Sequence, residues 1–273
     1  MTKKVLSIAL ALMLAFSTLS LSVSAADEKK EEKKAEISLF EQYNPNVAKA
    51  FANASKANSG DSALTQKQKE FITLGIAIAV KCEACTKTHA KRAVEAGATM
   101  QELAEVVGVN VMMGGGPATA FGKLALETAK AAGAKESEKK IDLKPITEIE
   151  MEVNPEDLMT VHKLDFAKKY SLIGENVMRD GYLTVKEKEL VSLAIAVAVG
   201  CEGCMNYHGA QCAKVGVTEA ELMDMVACNR IMEGGPSSPA SRVAIKAYKD
   251  AKAAIEKEAK EAKTETKTET KTK

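Results

Sequence analysis

The sequence contains no tryptophan, and aromatic residues make up only 4% of its 273 positions. Strands favour aromatic and β-branched residues, whereas alanine, leucine and methionine favour helices, so this composition argues against a protein built mainly from sheet. A net basic charge is also lacking, because 38 Lys and Arg are balanced by 37 Asp and Glu. Without a dominant basic surface, binding to the phosphates of nucleic acid is not expected.

Cysteine is scarce as well. Six cysteines in a chain of this length are far below the density of a small scaffold that is held together by disulfides. The chain is long enough to bury an apolar core, in one domain or two. The cysteines must therefore be explained by their positions in the sequence and not by their number.

The N-terminus has the pattern of a secretion signal. Residues 1–25 begin with two lysines, continue with an apolar run over residues 5–21 and end in a small-residue site at Ala25. This pattern predicts cleavage before Ala26 and a periplasmic or extracellular protein with no stable membrane anchor. An uncleaved anchor is the alternative, but the apolar run is short for a full membrane span.

Two further segments are too polar to contribute to a core. Residues 26–38 are predicted to be a charged linker. Residues 256–273, which repeat lysine, threonine and glutamate, are predicted to be a low-complexity charged tail. Charged and polar residues dominate both segments, so both are expected to be solvated.

The middle of the chain repeats itself. Residues 65–117 align without a gap with residues 184–236, at a constant offset of 119, and 23 of the 53 aligned pairs are identical. Such similarity means two copies of one unit, and the period is too long for a solenoid but suits a small domain. We therefore predict a first copy over residues 39–135, a linker over 136–157 and a second copy over 158–255.

Each copy is predicted to be all-α. Thr65 and Thr184 can each cap a helix at the start of an apolar stretch. Thr99 and Thr218 are each followed three residues later by a glutamate, which is the capping-box pattern of another helix start. Continuous apolar runs such as residues 74–80 are also compatible with buried strands, but their alanine content and the flanking caps favour helices.

Four residues recur in register in the two copies and can carry chemistry. The two sets are Glu70, Cys82, Cys85 and His89, and Glu189, Cys201, Cys204 and His208. On a helix, the two cysteines and the histidine of a set sit at i, i+3 and i+7, and therefore on one face. Thiols at this spacing can close a disulfide, and a helix N-terminus stabilises the reactive thiolate. The histidine lies within reach as a proton relay, and the glutamate can hold that proton.

Other interpretations of these residues stay open at this point. The cysteines and the histidine of each set could hold zinc, or the cysteines could form permanent structural disulfides. The repetition of the whole set favours redox chemistry. Cys212 and Cys228 stand where the first copy has Ala93 and Val109, so we interpret them as small buried residues. An accessory disulfide or a resolving thiol is the alternative for these two.

The pattern of glutamate, Cys-x-x-Cys and histidine, followed by a glycine, a capped helix and Gly-Gly-Pro, resembles the alkylhydroperoxidase AhpD / carboxymuconolactone decarboxylase family. The resemblance covers about residues 40–133 and 160–252. It implies an all-α fold in which two tandem AhpD-like domains form an intramolecular pseudo-dimer. It also implies assembly into a homo-oligomer, such as a trimer of fused pairs.

The resemblance further implies an exported, peroxiredoxin-like thiol peroxidase that reduces hydroperoxides by dithiol/disulfide cycling. It would need no cofactor, but it would need an external dithiol as electron donor, which the sequence does not identify. In the redox-active branch of the family the second cysteine attacks the peroxide, which points to Cys85 and Cys204. Cys82 and Cys201 would then close the disulfide, while the histidine and glutamate of each set relay the proton.

Two features qualify this expectation. Well-studied peroxidase members carry a histidine just before the second cysteine, where this chain has Ala84 and Gly203. Thiol redox chemistry is therefore a firmer expectation than peroxidase activity. The decarboxylase branch of the family does not use the cysteine pair, so a non-redox, decarboxylase-like enzyme is the alternative.

Overall fold

The computed structural model describes residues 38–271, with side chains as far as residue 262. The predicted signal peptide and residues 26–37 of the charged linker lie outside the described residues. The helices of the described part are α1 (Leu39–Tyr43), α2 (Pro45–Asn58), α3 (Gln66–Ala79), α4 (Glu83–Glu95), α5 (Met100–Gly114), α6 (Gly116–Ala131), α7 (Leu158–Val177), α8 (Val185–Ala198), α9 (Glu202–Lys214), α10 (Glu219–Glu233) and α11 (Ser237–Lys271).

The all-α prediction is confirmed. Between residues 38 and 271 there is no β-strand, and the pairing of Thr99 with Lys135 is an isolated bridge. None of the helices in this part is long and apolar enough to cross a membrane. By its contacts the chain divides after Ala50, and the compact unit from Phe51 onward contains the aligned parts of both sequence copies.

Four helices begin at a threonine capping box. Thr65, Thr99, Thr184 and Thr218 each accept a hydrogen bond from the backbone N–H three residues later. The glutamine or glutamate at that later position bonds back to the backbone N–H of the threonine. These reciprocal bonds satisfy donors that a helix start otherwise leaves without a partner, so the predicted helix starts are confirmed.

The centre of the fold is formed by α3 and α8, whose side chains are buried over most of their length. The two helices approach each other closely at Gly75 of α3. A Cβ at this position would lie only 2.8 Å from Cγ1 of Val191 in α8. The absence of a side chain at Gly75 therefore permits the close packing of the two copies.

The two copies contact each other in a reciprocal way. Asp224 in α10 accepts a hydrogen bond from the backbone N–H of Leu64, at 2.8 Å. Glu105 in α5 occupies the equivalent position of the first copy, and it accepts one from the backbone N–H of Leu183, also at 2.8 Å. Equivalent bonds in both directions are the mark of a two-fold related pair. The predicted intramolecular pseudo-dimer is confirmed.

Each of these acids also faces a buried lysine of the other copy. Nζ of Lys188 lies 2.9 Å from Oε2 of Glu105 and donates to a backbone carbonyl oxygen. Nζ of Lys69 lies 3.8 Å from Oδ2 of Asp224, but it donates to three oxygen atoms of the segment 58–62. Lys69 is therefore much less dependent than Lys188 on the acid across the interface.

The two segments outside the copies differ in secondary structure. Residues 136–157, predicted as a linker, contain no helix, and the Asn176 side chain holds them through the backbone of Ile146. The predicted C-terminal tail continues α11 as far as Lys271. Where the side chains of this segment are described, Lys257 and Glu261 lie four residues apart and form an ion pair, which supports an exposed helix.

Candidate functional site

Each Cys-x-x-Cys segment lies at the start of a helix. Cys82 is the N-cap of α4, and its Sγ accepts a hydrogen bond from the backbone N–H of Cys85 at 3.2 Å. Cys201 caps α9 in the same way, with the backbone N–H of Cys204 at 3.3 Å. Both pairs form disulfides, with Cα–Cα distances of 5.2 and 5.3 Å. All four cysteines are half-buried, so each disulfide has access to solvent.

A tight turn precedes each cysteine pair. Lys81 has a φ of 58°, and Gly200, at the equivalent position, has a φ of 68°. This left-handed conformation suits glycine but costs a residue with a Cβ about 1–2 kcal/mol. The turn brings the chain directly from α3 into α4 and from α8 into α9. It thereby places each pair at a helix N-terminus, whose partial positive charge stabilises a thiolate after reduction.

A histidine–glutamate pair accompanies each disulfide. Nδ1 of His89 lies 2.8 Å from Oε2 of Glu70, and Nδ1 of His208 lies 2.7 Å from Oε2 of Glu189. A carboxylate accepts hydrogen bonds, so it fixes the hydrogen of the imidazole on Nδ1. Nε2 is then the ring nitrogen that can take up or release a proton.

The two pairs are embedded differently. In the first copy, Gln66 donates to Oε1 of Glu70 at 2.6 Å. Its counterpart in the second copy is Val185, which has no side-chain donor for Glu189. Ser192 of α8 does not donate to Glu189 either, because its hydroxyl is buried and has no hydrogen-bond partner among the described residues. The carboxylate of the first site is thus held by more donors than that of the second.

A cleft of about 490 Å³, a volume that suits a small ligand, lies against the first histidine–glutamate pair. Its walls come from both copies, because Cys228 and Ile231 of α10 line it together with residues of α2, α3 and α4. The disulfide sulfurs do not line the cleft. His89 does, and it lies one helical turn after Cys85 on α4.

The two remaining cysteines are free and fully buried, which confirms their predicted burial. Burial raises the pKa of the Cys228 thiol to about 11. Burial, reinforced by the charge of Glu189, raises the pKa of the Cys212 thiol further above its usual range. Cys228 also accepts a hydrogen bond from the side chain of Asn58 at 3.6 Å, so this thiol is part of the cleft wall.

We expect these two thiols to resist alkylation in the folded, oxidised protein. At pH 8 a thiol with a pKa of about 11 is a thiolate in only about one molecule in a thousand. As the pH rises, Cys228 should react before Cys212, because its pKa is lower and it lines the cleft. Mass spectrometry after iodoacetamide treatment, with and without denaturant, measures this order. Rapid modification of Cys212 in the native protein at pH 8 would contradict it.

The structure brings the predicted residues together in two parallel sets. Each glutamate contacts its histidine, and each cysteine pair is joined at the start of the helix that carries that histidine. Among the described residues there is no group of three or more His, Cys, Asp or Glu side chains arranged to hold a metal ion. Sequence reasoning missed Gln66, and it predicted the burial of Cys228 but not its place in the cleft, since neither residue is repeated in the other copy. It also missed the buried Lys69 and Lys188, although their identity beside each glutamate was a usable signal.

Comparison with known proteins agrees with the duplicated unit. The sequence model of the carboxymuconolactone decarboxylase family matches residues 45–138 and again residues 165–247. An uncharacterized protein of Cupriavidus necator is 34% identical over 93 residues, which are 34% of this chain and 82% of that relative. The relative therefore corresponds in length to about one copy. The chain belongs to the carboxymuconolactone decarboxylase family and carries the AhpD-like unit of that family twice.

Proposed function

We propose that the protein is a thiol-dependent oxidoreductase that reduces hydroperoxides through its two Cys-x-x-Cys pairs. The observation that supports this function best is the joint placement of a disulfide and a histidine–glutamate pair on one helix, in both copies. The family includes AhpD peroxidases as well as decarboxylases. A decarboxylase has no need of two cysteine pairs, so their presence favours the redox branch.

At the first site, the two cysteines would reduce a hydroperoxide in two steps. In the reduced protein the N-terminus of α4 favours the thiolate of Cys85, which attacks one peroxide oxygen. The O–O bond breaks, Cys85 becomes a sulfenic acid, and the leaving alkoxide takes a proton from Nε2 of His89 to become an alcohol. The thiol of Cys82 then attacks the sulfenic sulfur. The disulfide forms, and the sulfenic oxygen leaves as water.

The cycle closes when a donor dithiol reduces the disulfide. The donor supplies two electrons and two protons by thiol–disulfide exchange, and it leaves as a disulfide. Because both pairs are half-buried, a donor thiolate can approach the sulfur atoms. We propose that the protein is exported, and its donor must then work in an oxidising compartment.

Stopped-flow oxidation of the reduced protein tests this function. We expect one disulfide to form for each molecule of hydrogen peroxide or cumene hydroperoxide consumed. The variant Cys85→Ser/Cys204→Ser should fall to the rate of the buffer, while the control Cys212→Ala should keep the full rate. Failure to consume either hydroperoxide would overturn the proposal. Equal rates in the double variant and the unmodified protein would overturn it as well.

A further inference from the structure

The two sites share their reactive residues but not the surface around them. The offset of 119 also relates the end of α2 at Asn58 to the end of α7 at Val177, so it assigns a counterpart in the other copy to every residue that lines the first cleft. Among these lining residues, Lys69, Glu70 and His89 are identical to their counterparts, and the others have all changed. The duplication has therefore kept the reactive pair and altered its surroundings.

Where a lining position changes in polarity, it changes in one direction, whereas Lys56, Thr73, Arg92 and Glu95 have polar counterparts in the second copy. Polar side chains of the first cleft that have lost their polar group in the second copy are Ser55, Asn58, Ser59, Gln66 and Cys228. Their counterparts, in the same order, are Gly174, Val177, Met178, Val185 and Val109. At these five positions the hydrogen-bonding side chain of the first copy corresponds to a glycine or an apolar side chain in the second.

The counterpart residues lie in equivalent places in the fold. In the first site, the end of α2 meets α10 where Asn58 bonds to Cys228. In the second, Val177 at the end of α7 meets α5, with its Cγ2 3.6 Å from the point that a Cβ on Gly108 would occupy. Met112 of α5 also lies beside α7, with Sδ 3.9 Å from the corresponding point on Gly174. An apolar contact thus replaces a polar one.

The second histidine has an aromatic neighbour as well. The ring of Tyr207 packs edge-on against the ring of His208, with centroids 5.0 Å apart. Tyr207 is 60% exposed, and its counterpart in the first copy is Thr88. The second reactive pair is therefore next to accessible aromatic surface, which the first pair lacks at this position.

From these differences we infer that the two sites take different classes of hydroperoxide. The first site takes hydrogen peroxide or small hydroperoxides with polar substituents, and the second takes alkyl or aryl hydroperoxides. This inference rests on the proposed peroxidase function. An apolar group bound in the first cleft would leave polar side chains without partners, which is costly. The same group packed on the exposed ring of Tyr207, beside the second histidine, gains the free energy of apolar burial.

Two single variants isolate the sites. Cys204→Ser leaves the first site active, and Cys85→Ser leaves the second. For each variant the second-order rate constants are measured with hydrogen peroxide and with cumene hydroperoxide. We divide the rate constant for cumene hydroperoxide by the rate constant for hydrogen peroxide. This ratio should be at least about 10-fold higher for the second site, the scale on which apolar pockets discriminate between substrates. Equal ratios would overturn the inference.

An exchange of lining residues links the preference to the cleft. In the Cys204→Ser background, Asn58→Val with Cys228→Val gives the first site the residues of the second at these two positions. The ratio of its two rate constants should then move toward that of the second site. Cys212→Ala in the same background lies outside the cleft and should leave the ratio unchanged. The reverse exchange, Val177→Asn with Val109→Cys in the Cys85→Ser background, should lower the ratio. It also serves if the first exchange prevents folding. A ratio unmoved by a folded exchange variant would overturn the assignment.

A second pair of probes separates this inference from the peroxidase function. Each reduced site is treated with the anionic disulfide 5,5′-dithiobis(2-nitrobenzoate) and with the neutral disulfide 4,4′-dithiodipyridine. We expect the second site to favour the neutral probe more strongly than the first does. If no hydroperoxide is consumed but the probes are discriminated, the peroxidase proposal fails and the difference between the sites stands. If hydroperoxides are reduced with equal ratios at both sites, the inference fails and the peroxidase proposal stands.

Discussion

Replacing His89 with alanine should slow peroxide reduction at the first site by about 10²–10⁴-fold, the usual contribution of a general acid or base. The background for this measurement is Cys204→Ser, which silences the second site. The expectation follows from the geometry: Nδ1 of His89 is held at 2.8 Å by Glu70, so Nε2 is left to deliver the proton that the leaving alkoxide needs. Without the ring, that proton must come from solvent.

The pH dependence distinguishes a relay from a structural role. If Nε2 of His89 donates the proton, the rate of peroxide reduction should fall at alkaline pH, and His89→Ala should abolish this alkaline limb of the profile. Glu70→Gln keeps a side chain of similar size but removes the carboxylate that holds the ring through Nδ1. We therefore expect that variant to lower the rate, but less than His89→Ala does.

An exposed histidine provides the matched control. His162 lies on α7 and is exposed, so His162→Ala should change neither the rate nor the pH profile. Stopped-flow measurement of peroxide consumption from acid to alkaline pH gives the profile of each variant. A His89→Ala protein that kept both the rate and the alkaline limb of the unmodified protein would show that the proton takes another route.

Local signals account for what the sequence could predict. A capping box consists of residues only three positions apart, so Thr65, Thr99, Thr184 and Thr218 could be identified as helix starts without any knowledge of the fold. The cysteine–histidine spacing is likewise a property of one helix. The pairing of Glu70 with His89 joins neighbouring helices, and the duplication of the set made that pairing a reasonable expectation.

The features that the sequence did not predict depend on contacts between the two copies. The cleft has Cys228 in its wall only because α10 of the second copy packs against the first, and no local pattern reveals that packing. Comparison of the repeats even pointed away from it, because a position with cysteine in one copy and valine in the other looks like ordinary core. The reciprocal acids Glu105 and Asp224 were missed for the same reason, since each bonds to a segment more than 70 residues away.

Substitution of one of these reciprocal acids has the largest expected effect on stability. Glu105→Ala should lower the free energy of unfolding by about 3–5 kcal/mol, as expected when one partner of a buried ion pair is removed. Lys188 is only 2% exposed, so its ammonium would be left buried without its partner at 2.9 Å. The backbone N–H groups of Tyr182 and Leu183 would lose their acceptor in the same change.

The equivalent change in the second copy, Asp224→Ala, should lower the free energy of unfolding by less. Asp224→Ala removes an acid that is 3.8 Å from Lys69, and the ammonium keeps its three oxygen acceptors in the segment 58–62. Asp250→Ala, which breaks an exposed pair with Lys246, is the control and should cost less than about 1 kcal/mol. Urea unfolding followed by circular dichroism gives all three values, provided that the dependence on urea concentration is the same.

The cause of the loss can be tested by removing both charges. If the penalty of Glu105→Ala comes from the stranded ammonium of Lys188, the variant Glu105→Ala/Lys188→Met should recover part of the lost stability, because methionine fills the space without a charge. The backbone donors near Leu183 would still lack an acceptor, so recovery should be incomplete. A double variant as unstable as Glu105→Ala alone would assign the whole loss to those backbone bonds. Equal losses for Glu105→Ala and Asp224→Ala would show that the oxygen acceptors around Lys69 do not compensate for its acid.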